Sequence, residues 1–341
     1  MFDIPGFKEL IKSPRRIIIT THANPDADAL GSSLGLYHLL KELGHKVLVI
    51  TPTAYPQFLH WMPGQEEVLI YEKDLKGSDE KIAGAEVIFC LDFSSLNRIR
   101  KMESSVRTSG ATKVMIDHHL DPEDFADFCL WDTGAAATAE LIYDLILMLD
   151  MKDKITREMA ELIYAGIMTD TGSFKHPSTT AKVHRTVAEL IEKGADVNKV
   201  NRNIYDTNST NRLRFMGYAF LEKLVVRPEL EVAYFVISAE EYQRFELKSG
   251  DTEGLVNYAL SIDGIVMATI IIEYQEEVKL SFRSIGDYAV NAFANEHFGG
   301  GGHKNASGGI SYTGLQKTVK KFETLIETFT KTYLFAQNPT L

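Results

Sequence analysis

Cysteine is nearly missing. Only Cys90 and Cys129 occur in 341 residues, and their spacing suits neither a metal site nor a redox pair, so a disulfide framework is excluded. Long hydrophobic runs are missing too: although 45% of the chain is hydrophobic, no apolar stretch approaches the length of a membrane span. The opening residues, MFDIPGFKEL, carry an acid and a proline where a signal peptide needs basic residues and then an apolar run. Basic charge is in deficit, with 36 Lys+Arg against 47 Asp+Glu and a net charge of −11. That balance excludes a protein that coats long nucleic acid with a basic surface. Short or mononucleotide substrates remain open, because bound cations can supply the missing positive charge. The expectation is a soluble, cytoplasmic chain without a membrane partner, long enough for two domains.

The first half alternates strand-like and helix-like segments. Arg16–Thr20, Lys46–Thr51, Glu67–Tyr71, Glu86–Leu91 and Lys113–Ile116 read as strands, and a helix is expected over Ala29–Leu43, closed by Gly44. Apolar strand runs between helices predict an α/β domain: a mostly parallel sheet with helices on both faces. Ala135–Leu149, Thr156–Met168 and Thr180–Lys193 keep helical spacing, completing a domain over residues 1–205. Asn208–Val225 also reads as helical, giving a helical linker over 206–226. Beyond it, strands at Leu230–Ser238, Ile265–Tyr274 and Glu277–Ser284 and helices at Asp251–Ile262, Asp287–His297 and Leu315–Thr330 predict a smaller α+β domain over 227–341.

Four segments carry unusual chemistry. His22-Ala23-Asn24-Pro25-Asp26-Ala27-Asp28 follows the first strand, Asp92 follows Val87–Leu91, Asp117-His118-His119 follows Val114–Ile116, and Asp170 ends the helical run Ile163–Thr169. Each has a plain alternative as a turn, a helix cap or a solvated loop. Three of the four, however, sit where a parallel strand is predicted to end, and ligands of open α/β sheets bind outside the carboxyl ends of the strands. Carboxylates with imidazoles and no thiolates suit divalent ions such as Mn²⁺ or Mg²⁺. Pairs of such ions recur in phosphoryl chemistry.

A second signal is Phe298–Gly309, which contains four consecutive glycines followed by His303 and Lys304. Glycines let backbone N–H groups close around an anion in a concave nest. A flexible linker would separate domains, whereas this tract falls inside one. Arg283, near the end of a predicted strand, offers a planar guanidinium for a terminal phosphate.

Together, HANPDAD, Leu91-Asp92, the DHH run at 117–119 and Thr169-Asp170 resemble the DHH phosphoesterase superfamily. Ser281-Phe282-Arg283-Ser284 and the glycine tract look like its associated DHHA1 domain. The compact pairing is most similar to the nanoRNase/pAp-phosphatase group, which cleaves short oligoribonucleotides and dephosphorylates 3′-phosphoadenosine 5′-phosphate. The resemblance implies two divalent ions, Mn²⁺ or else Mg²⁺. His22, Asp26 and Asp92 would hold the first, and Asp28, Asp92, His118 and Asp170 the second, with Asp92 bridging. It also implies His119 beside the scissile phosphate, and Arg283, Gly301, Gly302 and His303 holding substrate from the second domain. Partners would be short single-stranded RNA and small nucleotides, not long duplexes; a homodimer is compatible with it. The alternative activities are hydrolysis of a linear or cyclic dinucleotide, pApA or cyclic di-AMP, and a manganese inorganic pyrophosphatase. The missing glycine turn in the pyrophosphatases counts against the latter.

Overall fold

Four runs of β-branched and apolar residues, too short for helices and buried along half or more of their length, fall side by side in the first part of the chain, flanked by two edge strands. The structure is a computed structural model describing residues 2–248 and 250–337. In chain order the first elements are α1 (Ile4–Leu10), β1 (Arg16–Thr21), α2 (Ala27–Glu42), β2 (Lys46–Thr51), β3 (Leu69–Ile70), α3 (Leu75–Ala83) and β4 (Val87–Leu91). They continue with α4 (Glu103–Thr108), β5 (Thr112–Asp117), β6 (Phe128–Trp131), α5 (Thr138–Met148), α6 (Arg157–Asp170), α7 (Ala181–Glu192) and α8 (Val197–Tyr205). The six strands form one sheet in the order β3-β2-β1-β4-β5-β6. Every pairing in it is parallel, with Ile19 opposite both Val49 and Phe89. The strand order reverses between β1 and β4, and this is where such sheets open a crevice at their carboxyl ends.

Helices cover both faces, as expected. On one face α2 is buried nearly all round and packs against α5 and α6. Two glycines permit this: a Cβ on Gly31 would stand 2.5 Å from the Leu162 carbonyl oxygen, and one on Gly166 would stand 2.6 Å from both Ala139 Cβ and Asp28 Oδ1. The helices therefore touch backbone to backbone, which carries Asp28 deep between α5 and α6. The opposite face packs Ile18, Ile88 and Cys90 against Ile82, Ile99, Met102 and Val106.

Residues 1–207 form one compact unit and residues 208–341 a second. The second contains α9 (Thr210–Tyr218), β7 (Leu224–Arg227), β8 (Val232–Ile237), α10 (Ala239–Arg244), α11 (Leu255–Leu260), β9 (Met267–Glu273) and β10 (Val278–Ser284). It ends with α12 (Val290–Phe298), β11 (Gly301–His303), β12 (Ala306–Ser311) and α13 (Leu315–Gln337). Its sheet runs β11-β12-β10-β9-β8-β7. Only the β8–β9 pairing is parallel, and the β9–β10 hairpin appears where the sequence predicts it. α12 and α13 cover one face through Phe293, Phe298, Phe322 and Ile326, while Phe215, Leu255 and Ala259 cover the other.

Two expectations change here. The helix read over Asn208–Val225 stops at Tyr218 and widens into one π turn over Ala219–Lys223. Leu224–Arg227 then pairs antiparallel with β8. The β-branched pair Val225-Val226 takes the strand once a neighbour is available to it. The strand read over Glu67–Tyr71 shrinks to Leu69–Ile70 between short 3₁₀ turns. Among the described residues no helix is long and apolar enough to cross a membrane.

Candidate metal centre

β1, β4 and β5 end side by side, and the residues that follow them meet. After Thr21 the chain bends through Asn24, held at φ 56°, and Asp26 caps α2. Its Oδ1 accepts from the N–H groups of Asp28 and Ala29, both at 3.0 Å. The plain reading of HANPDAD as a turn and a helix cap is therefore correct as local structure. It also leaves Asp26 Oδ2 3.9 Å from His22 Nε2.

Asp28 is fully buried in the first turn of α2. Its two oxygens accept from the backbone N–H groups of Thr138 and Ala139 at 2.7 and 2.8 Å, where α5 begins. A helix N-terminus presents unsatisfied donors and a partial positive charge, so it orients and stabilises a carboxylate there. Asp92 leaves β4 with φ 63°, a left-handed conformation that costs a non-glycine residue energy and that clusters at functional sites. Its Oδ2 lies 3.3 Å from His22 Nε2, and its Oδ1 lies 3.6 Å from His118 Nε2 and 3.0 Å from the Thr138 hydroxyl, which donates to it. One buried carboxylate thus touches both imidazoles.

The imidazoles are aimed from behind. His22 Nδ1 meets the Ala23 carbonyl at 2.9 Å and His118 Nδ1 the Ala135 carbonyl at 3.2 Å. A carbonyl accepts only from N–H, so each ring turns an unprotonated Nε2 toward the carboxylates when neutral. Asp170, the last residue of α6, brings Oδ2 within 3.3 Å of His118 Nε2. His119 is held differently. Its Nδ1 meets Asp117 Oδ1 at 2.8 Å, and its carbonyl accepts from Trp131 Nε1 at 2.7 Å.

The electrostatics of the cluster favour positive charge. Burial alone would push His118 down, yet Asp170 and Asp92 carry it up to about 12; His22 is raised likewise by Asp92 and Asp26 against its own burial. Asp28 rises well above the carboxylate range through burial and the charges of Asp92 and Asp170, while the histidines hold Asp92 well below that range despite its burial. Protons crowd where positive charge is in demand. The ligand atoms of His22, Asp26 and Asp92 lie within 4.8 Å of one another, as do those of Asp28, Asp92 and His118. Two oxygen-and-imidazole sets sharing one buried carboxylate fit divalent cations. All six residues expected as ligands come together in this one cluster. Thr138 and the Ala135 carbonyl also serve it, and the sequence carries no local sign of either: Thr138 stands 110 positions from Asp28 in a run of alanines.

In the second unit, Arg283 on β10 and His303 on β11 both lie opposite Ala306 of β12. Residues aligned across strands share a face, so the two side chains stand on one face, about 10 Å apart at roughly 4.8 Å per strand. Arg283 Nη1 donates to the Phe282 carbonyl at 3.0 Å, and Lys304 pairs with Asp287 at 2.8 Å. The glycine tract corrects an expectation: it is no nest loop, since Gly301–His303 forms a strand paired with β12. A Cβ on Gly300 would collide with the Gly308 carbonyl, and one on Gly302 would come within 2.6 Å of the Ala306 oxygen. Close backbone packing demands those two glycines. Gly301 is different, being exposed with nothing within 4 Å of a Cβ, so its backbone is open to a ligand.

Comparisons with known proteins agree with this geometry. Residues 16–167 match the DHH family, N-terminal domain, and residues 231–332 match the DHHA1 domain. The bifunctional oligoribonuclease and PAP phosphatase NrnA of Bacillus subtilis is 31% identical over 303 residues, 87% of this chain and 90% of that protein. Its namesake in Thermus thermophilus is 33% identical over 298 residues, 86% of this chain and 83% of that one. A crystal structure of an exopolyphosphatase-related protein from Bacteroides fragilis matches with a TM-score of 0.92 at 40% identity, covering 96% of each chain. With carboxylates and histidines gathered at the ends of a parallel sheet and a second sheet domain behind them in the chain, this protein belongs to the DHH family of phosphoesterases, in its DHH–DHHA1 form.

Proposed function

We propose that this enzyme hydrolyses short oligoribonucleotides and 3′-phosphoadenosine 5′-phosphate with two divalent ions, Mn²⁺ being the native pair. The observation that carries the reading is Asp92, a single buried carboxylate 3.3 Å from His22 and 3.6 Å from His118, which joins two ligand sets. The names of the Bacillus and Thermus relatives state both activities, and the chain spans nearly their full length.

In this reading His22, Asp26 and Asp92 hold one cation, and Asp28, Asp92, His118 and Asp170 hold the other. Bound divalent cations supply Lewis acidity, acidifying a water and offsetting charge on phosphoryl oxygens. The protein does the rest. The α5 N-terminus and the Thr138 hydroxyl fix Asp28 and Asp92, so the ligand set needs no rearrangement at the moment of reaction. Asp117 fixes His119 through Nδ1, which leaves work on the phosphate or the leaving oxygen to Nε2. Arg283, His303 and the Gly301–Gly302 edge, where Gly301 is the open position, bind the nucleotide and its terminal phosphate. Four aspartate ligands balance two divalent ions, so a net charge of −11 permits short substrates and disfavours long ones. The reading carries a cytoplasmic location with it.

A substrate panel with Mn²⁺ tests this: pAp, pApA, a five-nucleotide RNA, cyclic di-AMP and pyrophosphate at equal concentrations. Turnover is expected on the first three. Activity confined to cyclic di-AMP or pyrophosphate overturns the reading. Arg283→Ala should weaken pApA far more than ApA, because only pApA presents a terminal phosphate. Equal losses on the two would remove the second unit from phosphate recognition.

A further inference from the structure

Among the described residues, one cation near the metal centre, Arg98, has no hydrogen-bonded or ion-paired partner for its guanidinium. After Asp92 the chain runs through Phe93–Ser95 into two short 3₁₀ turns within Leu96–Met102, broken by a kink at Arg100, φ 51°. Leu96 and Ile99, one 3₁₀ turn apart, are completely buried. One edge of the segment is thus seated in the core, and the positions between, Arg98 among them, face elsewhere. Its start is fixed by Glu123, which accepts from the Ser95 hydroxyl at 2.9 Å and the Leu96 N–H at 3.0 Å. Arg98 is tied to the site by backbone: its carbonyl accepts from the N–H of Ala23, the residue after His22, at 2.9 Å.

The side chain of Arg98 is half-buried. Among the described residues its guanidinium makes no hydrogen bond and no ion pair, whereas the nearby Arg107 takes both Glu103 and Glu123. An arginine next to the ligands of a cation is repelled by that cation. An anion bound between the two makes such a placement more favourable, and in the phosphoesterase reading a phosphate is the anion this site turns over. Guanidinium also has the planar donor fork that matches phosphate oxygens.

Resting on the phosphoesterase reading above, we propose that Arg98 is a phosphate-binding residue of the catalytic unit, its guanidinium taking a non-bridging oxygen of the scissile phosphate on the His22–Asp26 side of the centre. Arg283 then serves a different phosphate from the second unit, and Arg98 accounts for charge at the reacting one.

The test uses the full chain as Arg98→Ala, Arg98→Gln and Arg98→Lys. Mn²⁺ stoichiometry is measured by titration calorimetry without substrate. Inorganic phosphate binding to the Mn²⁺-loaded protein is read from ³¹P relaxation, and kcat/KM for pAp is measured alongside. Wild-type Mn²⁺ occupancy is expected in all three variants, with phosphate affinity and kcat/KM falling roughly 10- to 100-fold in Arg98→Ala, a typical loss for a charge-assisted pair. Arg98→Lys should fall less, and added guanidinium should restore part of the Arg98→Ala rate. Phosphate binding and kcat/KM within about twofold of wild type would overturn the proposal. Loss of a Mn²⁺ ion in Arg98→Ala would overturn it too, because Arg98 would then only support the His22 turn. If the wild type cleaves nothing in the panel yet binds phosphate in an Arg98-dependent way, the functional reading fails while this site stands.

Discussion

Replacing Gly166 by alanine tests the innermost packing of the centre with a single methyl group. The new Cβ would lie 2.6 Å from Asp28 Oδ1, 2.6 Å from Ala139 Cβ and 3.2 Å from the Asp28 Cα. The first two distances are shorter than any real carbon contact, so something must move by close to 1 Å. Asp28 cannot move freely, since its oxygens are bound to the Thr138 and Ala139 N–H groups at 2.7 and 2.8 Å. Overpacking a close-packed interior costs about 1–3 kcal/mol. Weakening one charged hydrogen bond adds about 1.5–3 kcal/mol, and the better helix propensity of alanine returns about 1 kcal/mol. Central values give a net loss of about 3 kcal/mol, which lowers Tm by roughly 6–12 °C for a unit of this size. Gly217→Ala is the control: it lies inside α9 with nothing within 4 Å of a Cβ, so it should hold or slightly raise stability. Scanning calorimetry and Mn²⁺ titration read the two effects, and Gly166→Ala should bind Mn²⁺ more weakly through the displaced Asp28. A Gly166→Ala protein as stable as wild type, with undiminished Mn²⁺ affinity, would refute the close contact of α6 with Asp28.

Other outcomes follow from the same geometry. Asp92→Asn keeps a side chain that tolerates φ 63° but removes the shared charge; turnover should fall at least a thousandfold, on the order of 4 kcal/mol in the barrier, and near-wild-type activity in Mn²⁺ would show the centre to be wrongly assigned. His119→Ala should retain both ions by elemental analysis while kcat drops roughly 10²–10⁴-fold; loss of an ion would make His119 a ligand. The metal-free site carries a proton at neutral pH, because, against its burial, His118 is pushed up to about 12 by Asp170 and Asp92, and Asp28 is shifted upward by burial and by the charges of Asp92 and Asp170. A cation needs His118 neutral and Asp28 charged, so Mn²⁺ binding should release protons and its apparent affinity should rise with pH between 6 and 8. Calorimetry in two buffers of different ionisation enthalpy counts those protons, and a count of zero would contradict the charge state.

Much of the fold and the centre was legible along the chain, because a buried parallel strand is a continuous apolar run whose end can be read. Asp92 after VIFCL, His22 after RIIITT and His118 after VMID need only be recognised as strand ends to be placed on one edge of a sheet. Other features had no local signature. Val225-Val226 sits in a pattern that continues a helix, and becomes a strand only because β8 offers a ladder of hydrogen bonds. The glycine tract reads as an anion loop, while Gly300 and Gly302 answer to the backbone of β12 beside them. Asp170 carries almost no signal at the end of its helix until α6 is laid against α2, and Thr138 none until α5 is. Periodicity and spacing record what a residue does for its own element; the contacts of Asp28 with Thr138 and of His118 with Asp170 join segments tens of residues apart, and they exist only once the helices have packed on the sheet.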